Sequence, residues 1–289
     1  MRQAGHKPGH GKEVILIRAV FRYPGSKWSV AKWIISHFPI GYEKMVYLEP
    51  FCGSGAVFFN KNPGAVETIN DLDSNIVNLF RVLRDSPDEL RRVLALTPYS
   101  REEYDLSFEL CEDPIEKARR YMVRTTQAIG AKMYNNEKCG WRNHTQMKIG
   151  GTACKWGGIV DTIDKASNRL RGDTTHLVQI EHMDALRLIE RYDYPDVLMY
   201  LDPPYVLSTR RGKLYNHEMD DEGQRRLLRL IACSRANILI SGYENALYND
   251  ALAGWHKDRT TSQTTAGKMA VETIWMNYEP PLEQFSMFE

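Results

Sequence analysis

Cysteine, long apolar runs and an excess of either charge are all scarce in this chain of 289 residues. Its five cysteines stand far apart, which excludes a disulfide scaffold and fits a reducing compartment such as the cytoplasm. No apolar run approaches the length of a membrane span, and the N-terminal residues lack the apolar core of a signal peptide. The composition, 43% hydrophobic and 26% charged, is typical of one large globular domain, or of one domain with an insertion.

Metal-ligand spacing is also missing. Cys139, His144 and Cys154 include no Cys-x-x-Cys pair, and a structural zinc site needs four ligands. We therefore expect neither a metal nor a membrane among the partners.

The net charge of +1 is the balance of two unequal parts. The segment from Lys117 to Arg171 holds twelve lysines and arginines against three acidic residues, so the rest of the chain is acidic. A basic block of this kind is typical either of contact with a polyanion such as DNA or of an ordinary solvated helix face.

Both ends of the chain carry the alternation of strands and helices that is typical of an α/β fold with a parallel sheet. The first part predicts strands and helices in the order Met45–Leu48, Ala56–Asn60, Val66–Ile69 and Ser74–Leu83. The last part predicts strands Leu177–Ile180, Val197–Leu201, Ile238–Ser241 and Val271–Met276, with helices over Ala185–Glu190 and Glu218–Ala232.

Residues 85–173 interrupt this pattern. Helices are predicted over Pro87–Leu96, Arg101–Leu110, Pro114–Ile129 and Ile159–Leu170, with an aperiodic stretch, Ala131–Gly158, before the last of them. The interpretation is one α/β domain, formed by residues 1–84 and 174–289, that carries a mainly helical insertion at 85–173.

The most informative motif is Asp202-Pro203-Pro204-Tyr205, which directly follows the apolar strand Val197–Leu201. Ligands of open α/β sheets bind beyond the carboxyl ends of the strands. The two prolines stiffen the turn, so a carboxylate and a backbone carbonyl there can both accept hydrogen bonds from one amino group. Tyr205 offers a flat face for stacking. The motif therefore predicts a site for the exocyclic NH₂ of a planar heterocycle.

A second motif, Glu49-Pro50-Phe51-Cys52-Gly53-Ser54-Gly55, follows the first predicted strand. Its glycines let a ligand approach the backbone closely, but Phe58 stands where the dinucleotide fingerprint has a third glycine, and the loop lacks the lysine of a P-loop. Asp71 ends the next strand, eighteen residues after Gly53, where an acid can bind ribose hydroxyls. The pattern predicts a nucleoside site without a pyrophosphate.

A third motif, Arg22-Tyr23-Pro24-Gly25-Ser26-Lys27, precedes these two. The three motifs, in this order, resemble the Dam-like family (D12 class) of DNA adenine-N6 methyltransferases, and the resemblance covers about residues 20–85 and 175–280. It implies a Rossmann-like class I methyltransferase fold with a mixed, mostly parallel sheet, S-adenosylmethionine as the cofactor, and a cytoplasmic enzyme encoded by a bacterium or a bacteriophage.

By this resemblance, Asp202, Pro203, Pro204 and Tyr205 form the catalytic motif, and Asp202 also reaches the cofactor. Asp71 would hold the cofactor's ribose. The other cofactor-site residues that the resemblance implies are Tyr23, Lys27, Glu49, Phe51, Gly53, Gly55 and Asp184.

The insertion occupies the position of the family's target-recognition region. Its residues match no pattern of known specificity, so the target sequence stays open. The basic residues that we expect to contact DNA phosphates are Lys132, Arg142, Lys148 and Lys155. The aromatic residues interleaved with the basic ones, which suit stacking on bases, are Tyr121, Tyr134, Trp141 and Trp156.

The implied reaction is direct methyl transfer to adenine N6 in double-stranded DNA, with the target base flipped out of the helix. Cytosine-C5 methylation needs a cysteine nucleophile, usually in a Pro-Cys pair that this chain lacks. Cytosine-N4 enzymes usually have serine in place of Asp202, and protein-glutamine methyltransferases have asparagine there. An RNA adenine methyltransferase and a catalytically silent DNA-binding module stay open as alternatives.

The C-terminal run Gln284-Phe285-Ser286-Met287-Phe288 resembles the short peptides by which bacterial replication and repair proteins bind the sliding clamp. Met287 and Phe288 would be its apolar anchors, although Phe285 replaces the more usual leucine. The alternative is that the phenylalanines pack on the catalytic core.

Overall fold

The computed structural model describes residues 19–129, 138–143, 156, 158–206, 214–263 and 269–281. The strands are β1 (Val46–Glu49), β2 (Val66–Asn70), β3 (Leu177–Glu181), β4 (Val197–Leu201), β5 (Asn237–Gly242), β6 (His256–Gln263) and β7 (Met269–Met276). The helices are α1 (Ala31–Ser36), α2 (Ala56–Asn60), α3 (Ser74–Asp85), α4 (Pro87–Leu96), α5 (Arg101–Leu106), α6 (Pro114–Gln127), α7 (Val160–Arg171), α8 (Ala185–Arg191), α9 (Asp221–Ala232) and α10 (Ala246–Ala251).

These strands form one seven-stranded sheet in the order β3-β2-β1-β4-β5-β7-β6. Strands β1 to β5 are parallel, and β7 is antiparallel to both of its neighbours. Strands β2 and β3 lie on one side of β1, and β4, β5, β7 and β6 lie on its other side. The strand order therefore reverses between β1 and β4, which is the point where open α/β sheets leave a crevice for a ligand.

The sheet is buried on both faces, and this explains the apolar strands that the sequence shows. Along β4, Leu198 and Tyr200 pack into the core on one face, while Val197, Met199 and Leu201 pack into the core on the other. A strand covered on both sides is apolar throughout rather than alternating. Helices α8, α9 and α10 supply the second face.

The helices of the insertion belong to the first of these cores. Leu94 of α4, Tyr104 of α5, Met122 of α6 and Ile163 of α7 are buried in one cluster with residues of β1, α2 and α3. Helices α6 and α7 both pack on α3. The division of the chain at residues 85 and 173 stays a prediction, but the insertion shares its core with the α/β part.

The α/β fold with a mixed, mostly parallel sheet is confirmed, and most predicted elements agree with the structure to within a few residues. Helix α5 ends at Leu106, earlier than predicted, and α9 begins at Asp221 because the Asp220 side chain caps it, accepting from Gly223 N at 2.7 Å. Strand β6 and helix α10 were not predicted. Within the described part of the chain, no helix is long and apolar enough to cross a membrane.

A buried ion cluster joins the end of the insertion to β2. Glu67 is fully buried, and it accepts hydrogen bonds from Lys61 and, at 2.8 Å, from Nη2 of Arg169 on α7. The same guanidinium donates to the carbonyl of Phe58 at 3.2 Å and lies 3.9 Å from the centre of that ring. Burial opposes ionisation of Glu67, but the hydrogen bonds and charges of its two partners hold its pKa below the usual range.

We expect Glu67→Gln to destabilise the protein by about 3–5 kcal/mol, because the substitution leaves two buried cations without a counter-charge. Urea unfolding at pH 7 measures this loss. The control is Glu89→Gln, which removes an exposed ion pair with Arg92 and should leave the free energy of unfolding unchanged. Equal stabilities of the two variants would contradict the role given to the cluster.

Candidate active site

A cleft of about 500 Å³ lies beyond the carboxyl ends of β1 and β4. Its walls include the motif before α1, the loop after β1 and the turn after β4, which are far apart in sequence. Residues 70–73 at the end of β2, residues 184–186 at the start of α8, and residues between 215 and 226 complete the lining. The predicted site residues that line it are Tyr23, Lys27, Glu49, Phe51, Gly53, Asp71, Asp184, Asp202 and Pro204. Gly55, Pro203 and Tyr205 are not among the lining residues.

The glycines of the loop after β1 have two different roles. Gly53 has φ +48°, and a Cβ atom there would lie 2.7 Å from Cε1 of Tyr23, so only glycine lets the loop and Tyr23 approach each other. Gly55 has φ +65° and precedes α2, where a Cβ atom would meet the ring of Phe59. Gly53 therefore shapes the cleft wall, whereas Gly55 shapes the start of a helix behind it.

Asp71 ties the end of β2 to this loop. Its Oδ2 accepts from Gly53 N and its Oδ1 from Asp73 N, both at 2.9 Å. Burial raises the pKa of the Asp71 carboxyl to about 7, although these hydrogen bonds act in the opposite direction. The carboxyl thus faces the cleft in a fixed orientation and can change its charge near neutral pH.

The end of β2 also positions Asp184 at the cleft. The Asn70 amide accepts from Met183 N at 2.9 Å and donates to the carbonyls of Pro50 and Met183. These bonds hold the residue before Asp184 against the loop after β1. The Asp184 carboxylate itself caps α8 by accepting from Arg187 N at 3.0 Å.

The Asp202 carboxylate is held from both sides. Lys27 Nζ lies 2.9 Å from Oδ2, and Ser241 Oγ donates to Oδ1 at 2.9 Å. Lys27 also donates to the Gly25 carbonyl at 2.8 Å. The Asp202 side chain lines the cleft and is 20% exposed, so a ligand in the cleft can reach it.

The rest of the turn after β4 is fixed by residues that the sequence did not indicate. Gln224, fully buried on α9, donates to the Pro204 carbonyl at 2.6 Å and accepts from Tyr248. The Tyr205 hydroxyl donates to Glu272 of β7. The Tyr205 ring lies 4.8 Å below Lys27 Nζ and meets the Tyr243 ring edge-on at 4.7 Å. Stacking of a base on Tyr205 stays a prediction.

Glu49, the last residue of β1, is a buried carboxyl in the cleft wall. It accepts from the Tyr47 hydroxyl at 2.7 Å and from Phe58 N at 3.0 Å. Burial raises the pKa of Glu49 to about 8. A neutral form of this side chain near neutral pH would be a hydrogen-bond donor to a ligand.

Several cations of the basic segment, Lys117 to Arg171, form ion pairs with acids of the protein. Arg119 and Arg120 bind Glu116, Lys138 binds Asp105, and Arg169 binds the buried Glu67, so acids of the protein already neutralise these four cations. Arg142 instead donates to the Ala128 carbonyl through Nε at 3.3 Å. The predicted DNA contacts Lys132, Lys148 and Lys155, like Tyr134 and the clamp-like run Gln284–Phe288, lie outside the described residues.

Two aromatic residues of the segment are core residues, and the prediction that they stack on bases is wrong. Tyr121 is 1% exposed and packs edge-on against Phe21 at 5.5 Å. Trp156 is 7% exposed, and its Nε1 donates to the Thr97 carbonyl at 2.9 Å. Trp141 is half-buried, with the Arg101 guanidinium 5.0 Å from its ring centre.

The chain was compared with known protein families. Residues 23–262 match the family of D12 class N6 adenine-specific DNA methyltransferases. This chain belongs to that family. The predicted resemblance and the Rossmann-like methyltransferase fold are therefore confirmed, and the chain is an adenine-specific DNA methyltransferase, an enzyme that needs a methyl donor.

The individual relatives share only a small part of their sequence with this chain. The Type II methyltransferase M1.LlaDCHI of Lactococcus lactis subsp. cremoris is 26% identical over 222 residues, which span 72% of this chain and 73% of the relative. Among solved structures, the rRNA methyltransferase aviRa of Streptomyces viridochromogenes is 14% identical, with a TM-score of 0.38 over 89% of this chain and 88% of the other. Within the described residues, no group of three or more His, Cys, Asp or Glu could hold a metal ion.

Proposed function

We propose that this enzyme transfers a methyl group from S-adenosylmethionine to adenine N6 at specific sites in double-stranded DNA, and that it flips the target base out of the helix. The observation that carries the proposal is the meeting, in one cleft, of the Asp202 carboxylate with the glycine loop after β1 and with Asp71. Family membership supports adenine in DNA as the substrate.

The cleft fits a nucleoside cofactor. Its volume of about 500 Å³ suits one ligand of this size. Asp71 would accept hydrogen bonds from the ribose hydroxyls, and Asp184 would accept one from the adenine amino group. Tyr23, Lys27, Glu49, Phe51 and Gly53 would form the remaining walls, and Gly53 allows the close approach that its missing Cβ provides. When bound, S-adenosylmethionine supplies an electrophilic methyl group on a sulfonium.

Asp202 and the Pro203 carbonyl would accept the two N6 hydrogens of the target adenine. This turns the N6 lone pair out of the ring plane toward the methyl group. Bound S-adenosylmethionine would supply the methyl group to this lone pair and would keep the electrons of the broken C–S bond on sulfur. Asp202 would accept the displaced N6 proton and pass it to solvent. Ser241 donates to Oδ1 of the carboxylate and so fixes its orientation before the amino group arrives.

The burial of Asp202 supports base flipping. Its side chain lines the cleft and is 20% exposed, and a base stacked inside a duplex would not reach such a position. For the DNA surface, the proposed contacts are Arg142, which lies in the described part of the chain, and Lys132, Lys148 and Lys155, which lie outside it. Arg119, Arg120, Lys138 and Arg169 instead pair with acids of the protein.

We expect Asp202→Ala to lower the rate of adenine-N6 methylation by at least about a thousandfold, because it removes the acceptor of the N6 hydrogens. Equilibrium binding of labelled S-adenosylmethionine should change little. The control is Asp88→Ala, a carboxylate whose side chain is 90% exposed on α4. Methylcytosine as the product, or full activity of Asp202→Ala, would overturn the assignment.

The raised pKa of Asp71 gives cofactor binding a pH dependence. Only the ionised carboxylate offers all its lone pairs to ribose hydroxyls, and with a pKa of about 7 the ionised fraction falls about tenfold from pH 8 to pH 6. The Kd for S-adenosylmethionine should therefore rise up to about tenfold on acidification. Asp71→Asn should bind weakly at pH 8 and lose this dependence, while Glu49→Gln should keep it. A wild-type Kd that does not change with pH would contradict the assignment of Asp71 to the ribose.

Arg142→Gln should weaken DNA binding and reduce the slope of log K against log salt by about one ion, because one phosphate contact is lost. The binding assay uses duplex DNA over a series of salt concentrations. Arg92→Gln, on the exposed face of α4, should leave the slope unchanged. An unchanged slope for Arg142→Gln would locate the DNA surface elsewhere.

A further inference from the structure

Glu272 is a buried carboxylate that the chemistry above does not use. It stands in β7 among Ile274, Trp275 and Met276, all buried, and is itself 4% exposed. A carboxyl group in such a place costs free energy unless specific partners compensate for its desolvation. Its partners therefore indicate what it does.

Both partners of Glu272 belong to the catalytic motifs. The Tyr205 hydroxyl donates to Oε1, and Lys27 Nζ lies 3.6 Å from the same oxygen. Lys27 is also 2.9 Å from Asp202, so one ammonium stands between two carboxylates. Burial raises the pKa of Glu272, and the charge of Lys27 opposes that rise.

The contact between Lys27 and Asp202 becomes unfavourable during the reaction. In this structure the two oxygens of Asp202 receive Lys27 and Ser241, and a carboxylate can accept further hydrogen bonds. When an adenine amino group arrives and then gains positive charge, an ammonium beside Asp202 competes with it for the carboxylate and repels the developing charge. A second carboxylate within reach of the ammonium would relieve both effects at little cost.

Building on the function proposed above, we propose that Glu272 is a positioning residue for methyl transfer: it receives Lys27 when Asp202 binds the target amino group, and it holds the Tyr205 ring through the hydroxyl. Glu272 itself undergoes no covalent change. Its effect reaches the reacting atoms through Lys27 and Tyr205.

The test begins with Glu272→Gln, which keeps the shape and the acceptor for Tyr205 but removes the charge. We expect kcat to fall about tenfold or more, while KM for DNA and Kd for S-adenosylmethionine stay within about twofold. Glu244→Gln is the matched control, since Glu244 is a carboxylate near β5 and β7 that pairs with exposed Lys257 and Arg259. Its kcat should not change.

A double-mutant cycle separates positioning from simple stabilisation. If Glu272 acts by receiving Lys27, the fall in kcat on Glu272→Gln should largely vanish in a Lys27→Gln background. Additive effects, or an unchanged kcat for Glu272→Gln, would overturn the inference. If Glu272→Gln does not fold, Glu272→Asp enters the same cycle, because it shortens the reach to Lys27 while keeping the charge.

The two proposals can fail separately. A wild-type enzyme that forms no N6-methyladenine would overturn the proposed function. An active wild-type enzyme whose Glu272→Gln variant keeps its kcat, or loses kcat and cofactor affinity together, would overturn only the role of Glu272.

Discussion

The parallel pairing of β1 with β4 is the constraint on which the site depends. Val46 pairs with Val197, although the whole insertion and β2 and β3 lie between them in sequence. This pairing places the loop after β1 beside the turn after β4, and it opens the crevice because no crossover covers a point of reversed strand order. The pairing is non-local, so its loop-closure entropy is offset only when the helices between the two strands are also packed.

Local chemistry made most of the fold predictable. Strand β4 is apolar at every position because both of its faces are covered, and Pro87 and Pro114 mark the first turns of α4 and α6. Strand β6 could not be predicted, since an edge strand with the sequence HKDRTTSQ carries no apolar pattern. Its stability comes from the ladder that it forms with β7, which is a tertiary property.

The candidate site divides in the same way. Motifs at the ends of strands predicted that Asp71 and Asp202 would line one cleft, because parallel strands end at one edge of a sheet. Lys27 was placed there only by the family resemblance. The roles of Gln224 and Ser241 could not be predicted, because they depend on which helix and strand become neighbours in the fold. Glu272 did carry a signal, namely one acid within the apolar run of β7. Tyr121 carried one too, because it shares a helix face with Ala118 and Met122, which are both buried.

The contact of Arg169 with Glu67 and Phe58 bears on how such enzymes could exchange specificity. A recognition region that were a separate module could be cut out and replaced at its two ends. Here Arg169 of α7, the last helix of the insertion, binds the buried Glu67 of β2. It also contacts Phe58 of α2, the helix that follows the glycine loop. A chimera that imports foreign recognition residues therefore has to keep α7 from the recipient, or bring the donor's own β2 acid and α2 with it. The usable junctions lie inside the insertion, between α6 and α7, rather than at its borders.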